Sequence, residues 1–338
     1  MKLCNRCIIP ETAKGIKIDE NGLCQLCRDY KKTPRKGEEA LRKEIAGIIN
    51  KDVKFNCVVP VSGGRDSSYA LYYAKEIVGL RPIAVHNDND FETEVARENM
   101  RNMTKALNVP LVSVSSKKQI SKKIVAEKFK MNAPFGPGLV VDQTCEACKY
   151  GFESVVYNTT RKRDIQLIIW GDSIEESTAP FHLLFEHKTP SKWERLFSPG
   201  FSSYFKYKYL FEKMKREYGP DSPEGLKEIH LYDYIEWDRK VIVDTIQNKL
   251  GWSKPKDAAT SWRIDCSLVP LVNYLTLKAY GVSKLELGFS SMIRNSKMNR
   301  DDAMQEVSEI NKKMNRSEIE KFVTDLGISS SCIRKVLE

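Results

Sequence analysis

The sequence lacks several features that would assign it to a common protein class. It contains no Gly-x-x-x-x-Gly-Lys-Ser/Thr segment, so the phosphate-binding geometry of kinases and GTPases is not expected. No run of 18 apolar residues occurs, which argues against a membrane span. The first residues lack the apolar stretch of a signal peptide, so we expect a cytoplasmic protein. No Ser-His-Asp pattern suggests a side-chain nucleophile.

The charge of the chain is strongly positive. Its 338 residues include 55 Lys and Arg against 45 Asp and Glu, a formal net charge of +10. This balance suits an anionic ligand such as nucleic acid, a nucleotide sugar or ATP. The basic residues are dispersed in short groups such as Lys31-Lys32 and Lys122-Lys123, which are usually solvated helix faces.

Residues 55–68 combine a strand pattern, a glycine pair and a helix start. The apolar run over 57–61 predicts a strand that is buried on both faces. Gly63 and Gly64 allow a tight turn that exposes backbone N–H groups. Asp66, Ser67 and Ser68 are good first residues for the helical pattern that follows. Amide donors and the positive end of a helix would then meet, which predicts an anion site.

Short apolar runs and helical patterns alternate along the middle of the chain. Further strands are predicted at 81–86, 110–115, 165–171 and 228–234, with helices between them. Residues 131–142, rich in Pro and Gly, are predicted to form a loop over the site. This alternation predicts an α/β fold with a doubly wound parallel sheet, followed by a helical C-terminal part.

Four cysteines near the start of the chain have metal-ligand spacing. Cys4-x-x-Cys7 and Cys24-x-x-Cys27 can place four thiolates around one ion, and Zn²⁺ in a structural role is the natural occupant. A module this short buries little core, so the metal would hold it folded. The alternative is four unligated thiols.

Ser62-Gly63-Gly64-Arg65-Asp66-Ser67 resembles the pyrophosphate loop of the ATP pyrophosphatase superfamily, whose pattern is Ser-Gly-Gly-x-Asp-Ser. The resemblance implies an adenine nucleotide alpha-hydrolase-like fold that splits ATP into AMP and pyrophosphate with Mg²⁺. It implies that residues 62–68, including Ser68, bind ATP and that Asp66 and Ser67 act in catalysis. The alternative is a Gly-rich turn with no ligand.

The same resemblance extends to residues after two other strands. His86 and Asn87 occupy the stretch that flanks the adenosine in the superfamily, although His86 could equally be a strand-end residue with no role. Gly171, Asp172 and Glu176 resemble a Gly-Glu/Asp…Glu pattern, which implies nucleotide binding for Gly171, catalysis for Asp172 and substrate contact for Glu176. Alternatively, Asp172 only caps the next helix.

A narrower resemblance links the chain to the N-acetyl sugar amidotransferases of surface-polysaccharide biosynthesis. It rests on residues 4–12 and 18–27, around the paired cysteines, and on the series Asp265…Ile293-Arg294-x-x-x-Met298-x-Arg300-x-x-Ala303. It implies a nucleotide-linked or lipid-linked N-acetyl sugar as substrate and ammonia from a separate glutaminase subunit. Arg263, Arg294 and Arg300 are candidate phosphate contacts, because arginine offers bidentate donors. Each could instead form a structural ion pair.

A second set of cysteines supports a different hypothesis. Cys145-x-x-Cys148 with the distant Cys266 resembles the three-cysteine set of iron–sulfur thiolases that place sulfur on tRNA. Three thiolates would leave one iron of a [4Fe–4S] cluster open to bind sulfur. Alternatively, Cys145 and Cys148 form a second zinc knuckle or are simply packed. A third hypothesis is a non-catalytic, nucleic-acid-binding protein with a zinc ribbon.

The predicted organisation has five parts. They are a zinc ribbon (1–30), a linking helix (31–53), an ATP pyrophosphatase core (54–176), an aromatic and basic insertion or lid (177–227), and a C-terminal strand with helices (228–338). The aromatic residues of the insertion could stack on a ligand or pack as a helical core. The protein could form a homodimer.

Overall fold

A sheet of five parallel strands lies at the centre of the chain. The computed structural model describes residues 2–49, 53–176, 190–220, 224–256 and 258–337. The strands are β1 (Cys57–Pro60), β2 (Pro82–Asp88), β3 (Leu111–Ser115), β4 (Leu167–Trp170) and β5 (Lys227–His230). Their order in space is β3-β2-β1-β4-β5. The predicted doubly wound parallel sheet is thereby confirmed, and the order reverses between β1 and β4.

Helices connect the strands and make up most of the rest of the described chain. The helices that precede β4 are α1 (Gln25–Arg28), α2 (Glu38–Ala46), α3 (Arg65–Tyr72), α4 (Glu94–Ala106), α5 (Ile120–Asn132), α6 (Pro137–Thr144) and α7 (Glu146–Lys162). Those that follow β4 are α8 (Lys192–Leu196), α9 (Phe201–Tyr218), α10 (Arg239–Leu250), α11 (Val269–Tyr280), α12 (Lys284–Arg294), α13 (Arg300–Lys313), α14 (Arg316–Asp325) and α15 (Ser330–Leu337).

The sheet is covered on both faces, as its apolar strands require. Val58 and Val59 of β1 are both fully buried, but they belong to different apolar clusters because successive side chains point to opposite faces. On the Val59 face lie residues of α3, α4 and α10, and on the Val58 face lie residues of α5, α7 and α9.

The segment over 131–142 corrects one sequence expectation. It was predicted to be a loop, but it contains a 3₁₀ turn at Ala133–Phe135 and then helix α6. Pro137 is the first residue of α6, a position where the missing N–H of proline costs nothing. Leu139 and Val140 are buried, and α6 packs against α11. Apolar contacts that are distant in sequence therefore override the local turn signal.

The predicted aromatic insertion is helical where the structure describes it. Tyr207, Leu210 and Phe211 of α9 pack against the core on the α5 and α7 side, whereas Phe205 and Tyr209 are exposed. The remainder of the prediction, including Phe181, His182, Phe185 and His187, lies outside the described residues.

The N-terminal segment docks on the C-terminal helices. The backbone N–H of Lys14 donates to the carbonyl of Tyr280 at 2.9 Å, and Arg6 donates to the carbonyl of Arg294 at 2.9 Å. Ile9 and the four N-terminal cysteines share one apolar cluster with residues of α11 and α12. Among the helices described, none is long and apolar enough to cross a membrane.

The turn after β1 leaves no room for a side chain. Gly63 has φ +77°, and a Cβ atom there would lie 2.2 Å from the carbonyl oxygen of Ala96 in α4. Its own carbonyl oxygen accepts hydrogen bonds from Asn99 Nδ2 at 3.1 Å and from Trp252 Nε1 at 3.0 Å. Glycine is thus required both by the backbone angle and by the close approach of α4.

Gly63→Ala is expected to destabilise the protein far more than Gly79→Ala. Both positions have positive φ, but nothing lies within 4 Å of a Cβ atom at Gly79 (φ +81°). Both variants should lose about 1 kcal/mol from the left-handed backbone. Gly63→Ala should lose a further ~1–3 kcal/mol from overpacking.

The measurement is the free energy of unfolding from urea titration of the two variants. Equal losses for the two variants would show that α4 does not press on the turn.

Candidate functional site: a cleft at the switch point of the sheet

Hydroxyl groups hold the loop between β1 and α3 in shape. Ser67 Oγ accepts a hydrogen bond from the N–H of Ser62 at 3.2 Å, and Ser62 Oγ accepts one from the N–H of Gly64 at 3.3 Å. The hydroxyls of Ser67 and Ser68 donate to the carbonyl of Gly64, at 3.2 and 2.7 Å. The loop is therefore fixed by its own side chains at the N-terminus of α3, where a helix favours an anion.

Arg65 is a buried clamp between the loop and two distant segments. Its side chain is 2% exposed, donates to Ser261 Oγ at 2.8 Å and forms an ion pair with Glu176. The guanidinium also lies over the ring of Trp237, 5.2 Å from its centre. A buried cation of this kind needs such partners, and its charge is largely neutralised by Glu176.

Asp66 is oriented by a tryptophan from the chain beyond β5. Trp237 is fully buried, and its Nε1–H donates to Asp66 Oδ1 at 2.8 Å. The carboxylate of Asp66 is 20% exposed and lies on the wall of a cleft. One carboxylate oxygen is therefore fixed in position, and the group keeps access to a ligand.

This cleft has a volume of about 580 Å³ and lies beyond the carboxyl ends of β1 and β4. That is the switch point of the strand order, where open α/β sheets bind ligands. The predicted residues in its lining are Ser62, Gly64, Arg65, Asp66, Ser67, Gly171, Asp172, Glu176 and Arg263. The structure thus brings together residues from three segments that are distant in sequence.

Carboxylates are concentrated on the walls of the cleft. Asp66, Asp172 and Asp265 line it, and a Cβ atom at Gly64 would lie 3.2 Å from Asp265 Oδ2. Oxygen ligands from several carboxylates are the donor set that Mg²⁺ accepts, usually together with substrate phosphates. The residues present therefore fit a magnesium–nucleotide complex.

The end of β4 lies against the start of α3. A Cβ atom at Gly171 would be 2.9 Å from the carbonyl oxygen of Asp66, so a larger residue would push the loop away. Asp172 follows, and its Oδ1 is 2.8 Å from Nδ1 of His230 at the end of β5. Hydrogen bonding to Asp172 raises the pKa of His230 above its ordinary value.

His86 and Asn87 lie behind the cleft rather than in its lining. His86 is buried, with Nδ1 3.0 Å from the carbonyl of Val61 and Nε2 2.6 Å from Glu92 Oε2. Asn87 is also buried, and its amide can bond both to the carbonyl of Val114 and to the N–H of Phe152. The structure therefore gives both residues structural partners, and their nucleotide role stays a prediction. Gly63 and Ser68 likewise shape the loop from behind.

Two of the three predicted phosphate-binding arginines lie outside the lining of the cleft, and their phosphate role stays a prediction. Arg300 donates to the carbonyls of Cys7 and Cys4 at 3.2 and 3.3 Å. Arg294 is buried near Cys7, and its charge contributes to lowering the pKa of that thiol. Both therefore support the N-terminal cysteines. Arg263 is exposed and does line the cleft, with a backbone φ of +45°.

The four N-terminal cysteines form a buried cluster. The sulfur atoms of Cys4, Cys7, Cys24 and Cys27 all lie within 4.8 Å of one another, and those of Cys7 and Cys24 are 3.8 Å apart. Hydrogen bonds from Cys24 and Cys27 lower the pKa of Cys7 well below its usual range. A tetrahedral Zn²⁺ with Zn–S bonds of about 2.3 Å requires sulfur atoms roughly 3.8 Å apart. The cluster therefore fits a metal ion.

Cys148 and Cys266 pack against the same apolar cluster, whereas Cys145 is exposed. Burial raises the pKa of Cys148, and the charges of Cys145 and Cys266 raise it further. Burial is also the main reason that the pKa of Cys266 is raised to about 12. The charges of Asp265 and Cys145 raise this pKa further. Cys266 directly follows Asp265, which lines the cleft.

Several residues of the cleft are absent from the sequence-based site. They are Pro60, Phe152, Trp170, Ser173, Ser261 and Asp265 in the lining, and Trp237 behind Asp66. Trp170 packs edge-on to Phe152 and stacks on His230, which gives the cleft an aromatic side. The polar residues around Trp262, within residues 260–265, are the sequence feature that could have indicated Ser261 and Asp265 as site residues. No local signal marks Trp237.

Part of the chain matches a known family. Residues 256–338 match the model described as "LPS biosynthesis protein WbpG-like, C-terminal domain". The matched segment includes Ser261, Arg263 and Asp265, which form one wall of the cleft.

Two proteins of Methanocaldococcus jannaschii are similar in sequence. The chain is 28% identical to the uncharacterized protein MJ1599 over 215 residues, which cover 61% of this chain and 71% of that protein. It is 29% identical to the uncharacterized protein MJ1638 over 125 residues, which cover 37% of this chain and 43% of that protein. The chain therefore spans under half of the second relative.

Two solved structures show weaker likeness. The U34-tRNA thiolase NcsA from Methanococcus maripaludis, with its [4Fe–4S] cluster, aligns over 88% of this chain and 90% of its own, with 14% identity and a TM-score of 0.37. The NMN synthetase from Francisella tularensis aligns over 71% and 93%, with 13% identity and a TM-score of 0.29. At these scores neither structure informs the chemistry of this chain.

The pKa of His230 should fall toward its ordinary value in Asp172→Asn. Asp172 stabilises the protonated imidazole, so the raised folded-state pKa contributes stability that is present below the unfolded-state pKa of about 6.5. That contribution is lost as the pH rises through the folded-state pKa.

NMR titration of the His230 ring protons in the two proteins measures this shift. His230→Gln identifies the resonance among the four histidines of the chain. An unchanged pKa in Asp172→Asn would show that the pair does not form in solution.

Proposed function

We propose that this protein is an ATP-dependent amidotransferase that converts the acetamido group of an N-acetyl sugar into an acetamidino group. One observation carries the proposal. The segment that matches the WbpG-like family model supplies a wall to the cleft formed by the pyrophosphate-type loop. The volume of about 580 Å³ is in the range of sites that enclose a ligand of nucleotide size.

In the first step the acetamido oxygen attacks the α-phosphorus of ATP. The bond from the α-phosphorus to the bridging oxygen breaks, and pyrophosphate leaves. The N–H groups of the loop and the N-terminus of α3 stabilise the charge that develops on it. One or two of the carboxylates of Asp66, Asp172 and Asp265 would hold Mg²⁺ together with the phosphates, and this ion would neutralise phosphate charge.

In the second step ammonia attacks the carbon of the O-adenylyl imidate. The carbon–oxygen bond breaks, AMP leaves with that oxygen, and one proton is lost from nitrogen. Because AMP is the leaving group, no side-chain nucleophile is required. Ammonia would come from a separate glutaminase subunit, and the sugar would be linked to a nucleotide or a lipid.

The four N-terminal cysteines would hold Zn²⁺ in a structural role. The spacing and burial of their sulfur atoms support four thiolate ligands, which leave no open position for substrate. Arg300 on the carbonyls of Cys4 and Cys7 would tie this site to α13.

A second candidate function is ATP-dependent sulfur transfer to tRNA or a small molecule. The observation in its favour is that Cys148 and Cys266 pack against one apolar cluster, and Cys266 directly follows Asp265 of the cleft. A [4Fe–4S] cluster on these three thiolates would retain one iron without a protein ligand. Adenylation of the acceptor in the same cleft would precede the transfer of sulfur.

Asp66→Asn should lower pyrophosphate release by about 100-fold or more, because the charge that faces the magnesium–nucleotide complex is lost. Trp237→Phe keeps an aromatic ring, although a smaller one, and removes the Nε1–H donor to Asp66. It should lower the rate about tenfold, the usual effect of losing one hydrogen bond to a charged group. AMP and pyrophosphate formation is measured with ATP, ammonia and nucleotide-linked N-acetyl sugars.

The control is Trp193→Phe, since Trp193 is exposed and outside the cleft. Unchanged release in Asp66→Asn would refute the site. ATP cleavage that requires tRNA and ignores N-acetyl sugars would refute the amidotransferase and favour the thiolase.

Metal and acid-labile sulfide content separates the two candidate functions. Protein purified without oxygen should contain about one zinc, lost in Cys24→Ser, and no iron. Iron and sulfide near four each, lost in Cys145→Ser and retained in Cys332→Ser, would favour sulfur transfer instead.

A further inference from the structure

Helices α8 and α9, with the residue after α8, present exposed aromatic side chains. Trp193 is 69% exposed, Phe197 82%, Phe205 54% and Tyr209 70%, and Leu196 lies beside them at 37%. We call these five residues the aromatic ridge. In the rest of the described chain, the large apolar side chains exposed to this degree are single aliphatic residues: Ile77, Ile174 and Val241. A concentration of exposed rings marks an interaction surface.

A basic groove adjoins the aromatic ridge. It lies between α5, α9 and the turn after α14, and has a volume of about 530 Å³. Its cationic residues are Lys122, Lys123, Lys130 and Lys206, and its acidic residues are Glu127 and Asp325. Glu127 accepts a hydrogen bond from Lys130 at 3.1 Å. Since lysines outnumber carboxylates in the lining, the groove carries a net positive charge. Tyr209 belongs to both the groove and the ridge, so the two surfaces meet at this ring.

We propose that this surface docks on an anionic lipid bilayer. The rings and Leu196 would enter the interface between headgroups and acyl chains, and the lysines of the groove would contact headgroup phosphates. Exposed Trp, Phe and Leu beside Lys is the combination by which helices lie in a membrane interface. Lysines near an anionic leaflet add electrostatic attraction.

The ridge is less suited to nucleic acid. Single-stranded nucleic acid is bound by separate rings on which successive bases stack. Trp193 and Phe197 instead stack on each other, with ring centres 6.4 Å apart and planes at 15°. Leu196 adds an aliphatic group, which offers no aromatic face on which a base could stack.

The ridge is also less suited to a second copy of the chain. Residues 190–220 contain seven Lys and Arg against three Asp and Glu. Two such faces would place like charges opposite each other, which disfavours association. An anionic surface is the complementary partner. This inference does not rest on the proposed reaction, since none of these residues lines the cleft at the switch point.

Tryptophan fluorescence tests the proposal directly. The other four tryptophans, at positions 170, 237, 252 and 262, are at most 9% exposed, so quenching by acrylamide reports on Trp193. The full chain is mixed with phosphatidylglycerol–phosphatidylcholine vesicles, and with phosphatidylcholine vesicles alone. With the anionic vesicles we expect a blue shift, protection from acrylamide and co-sedimentation. High salt should weaken all three.

Phe197→Ser should reduce partition into anionic vesicles about tenfold, the factor expected when burial of one phenyl ring is lost. Lys122→Glu with Lys206→Glu should reduce both the partition and its salt dependence. Val241→Ser is the matched control, because Val241 is 53% exposed on α10 and should partition like the parent. Circular dichroism checks that each variant is folded.

Three results would overturn the proposal. One is no change in Trp193 emission or quenching at millimolar anionic lipid. Another is a mobility shift with RNA that Phe197→Ser abolishes while vesicle binding is absent. The last is a dimer in solution that Phe197→Ser dissociates, which would assign the ridge to a second copy.

Discussion

The carbonyl oxygen of Gly63 is the point on which the cleft depends. It accepts one hydrogen bond from Asn99, 36 residues later, and one from Trp252, 189 residues later. Both bonds are buried, where an unpaired polar group is costly. They fix the turn from α4 and from the segment after α10 at once. The amides of the loop can point toward a ligand because the carbonyl behind them is held by side chains.

The electrostatics of the cleft follow from how its charges are paired. Arg65 forms an ion pair with Glu176 and lies over the ring of Trp237. Its charge therefore links the walls of the cleft to each other. Asp66 lies 3.4 Å from Arg65 and Asp172 lies 2.8 Å from His230, and both line the cleft together with Asp265. A polyphosphate placed among these carboxylates would be repelled unless a divalent cation lay between them. The arrangement is therefore consistent with a nucleotide that enters as its magnesium complex.

The sequence predicts those parts of the site that depend on local chemistry. The loop at 62–68 and the residues that follow β4 are specified by a strand, a turn and a helix start in succession, and the structure places them together. His86 and Asn87 lie inside β2, which continues to Asp88 instead of ending at residue 86 as predicted. Which face they would occupy depends on Glu92 and on β3, and no local pattern encodes that. Trp237 reaches Asp66 across 171 positions, a contact that depends on how β5 joins the sheet.

Arg294 and Arg300, near the C-terminal end of the chain, also have contacts that the local sequence does not predict. An arginine that could bind phosphate and one that could bind carbonyl oxygens look identical in sequence, because both uses need only planar N–H donors. The docking of the N-terminal module decides between them. Arg300 bonds to the carbonyls of Cys4 and Cys7, and Arg6 bonds to the carbonyl of Arg294. A metal on the four thiols would therefore stabilise the C-terminal helices as well as its own short loop, since binding free energy adds to the stability of whatever the site holds in place. The module packs against the helices that follow Asp265, and Asp265 itself lines the cleft.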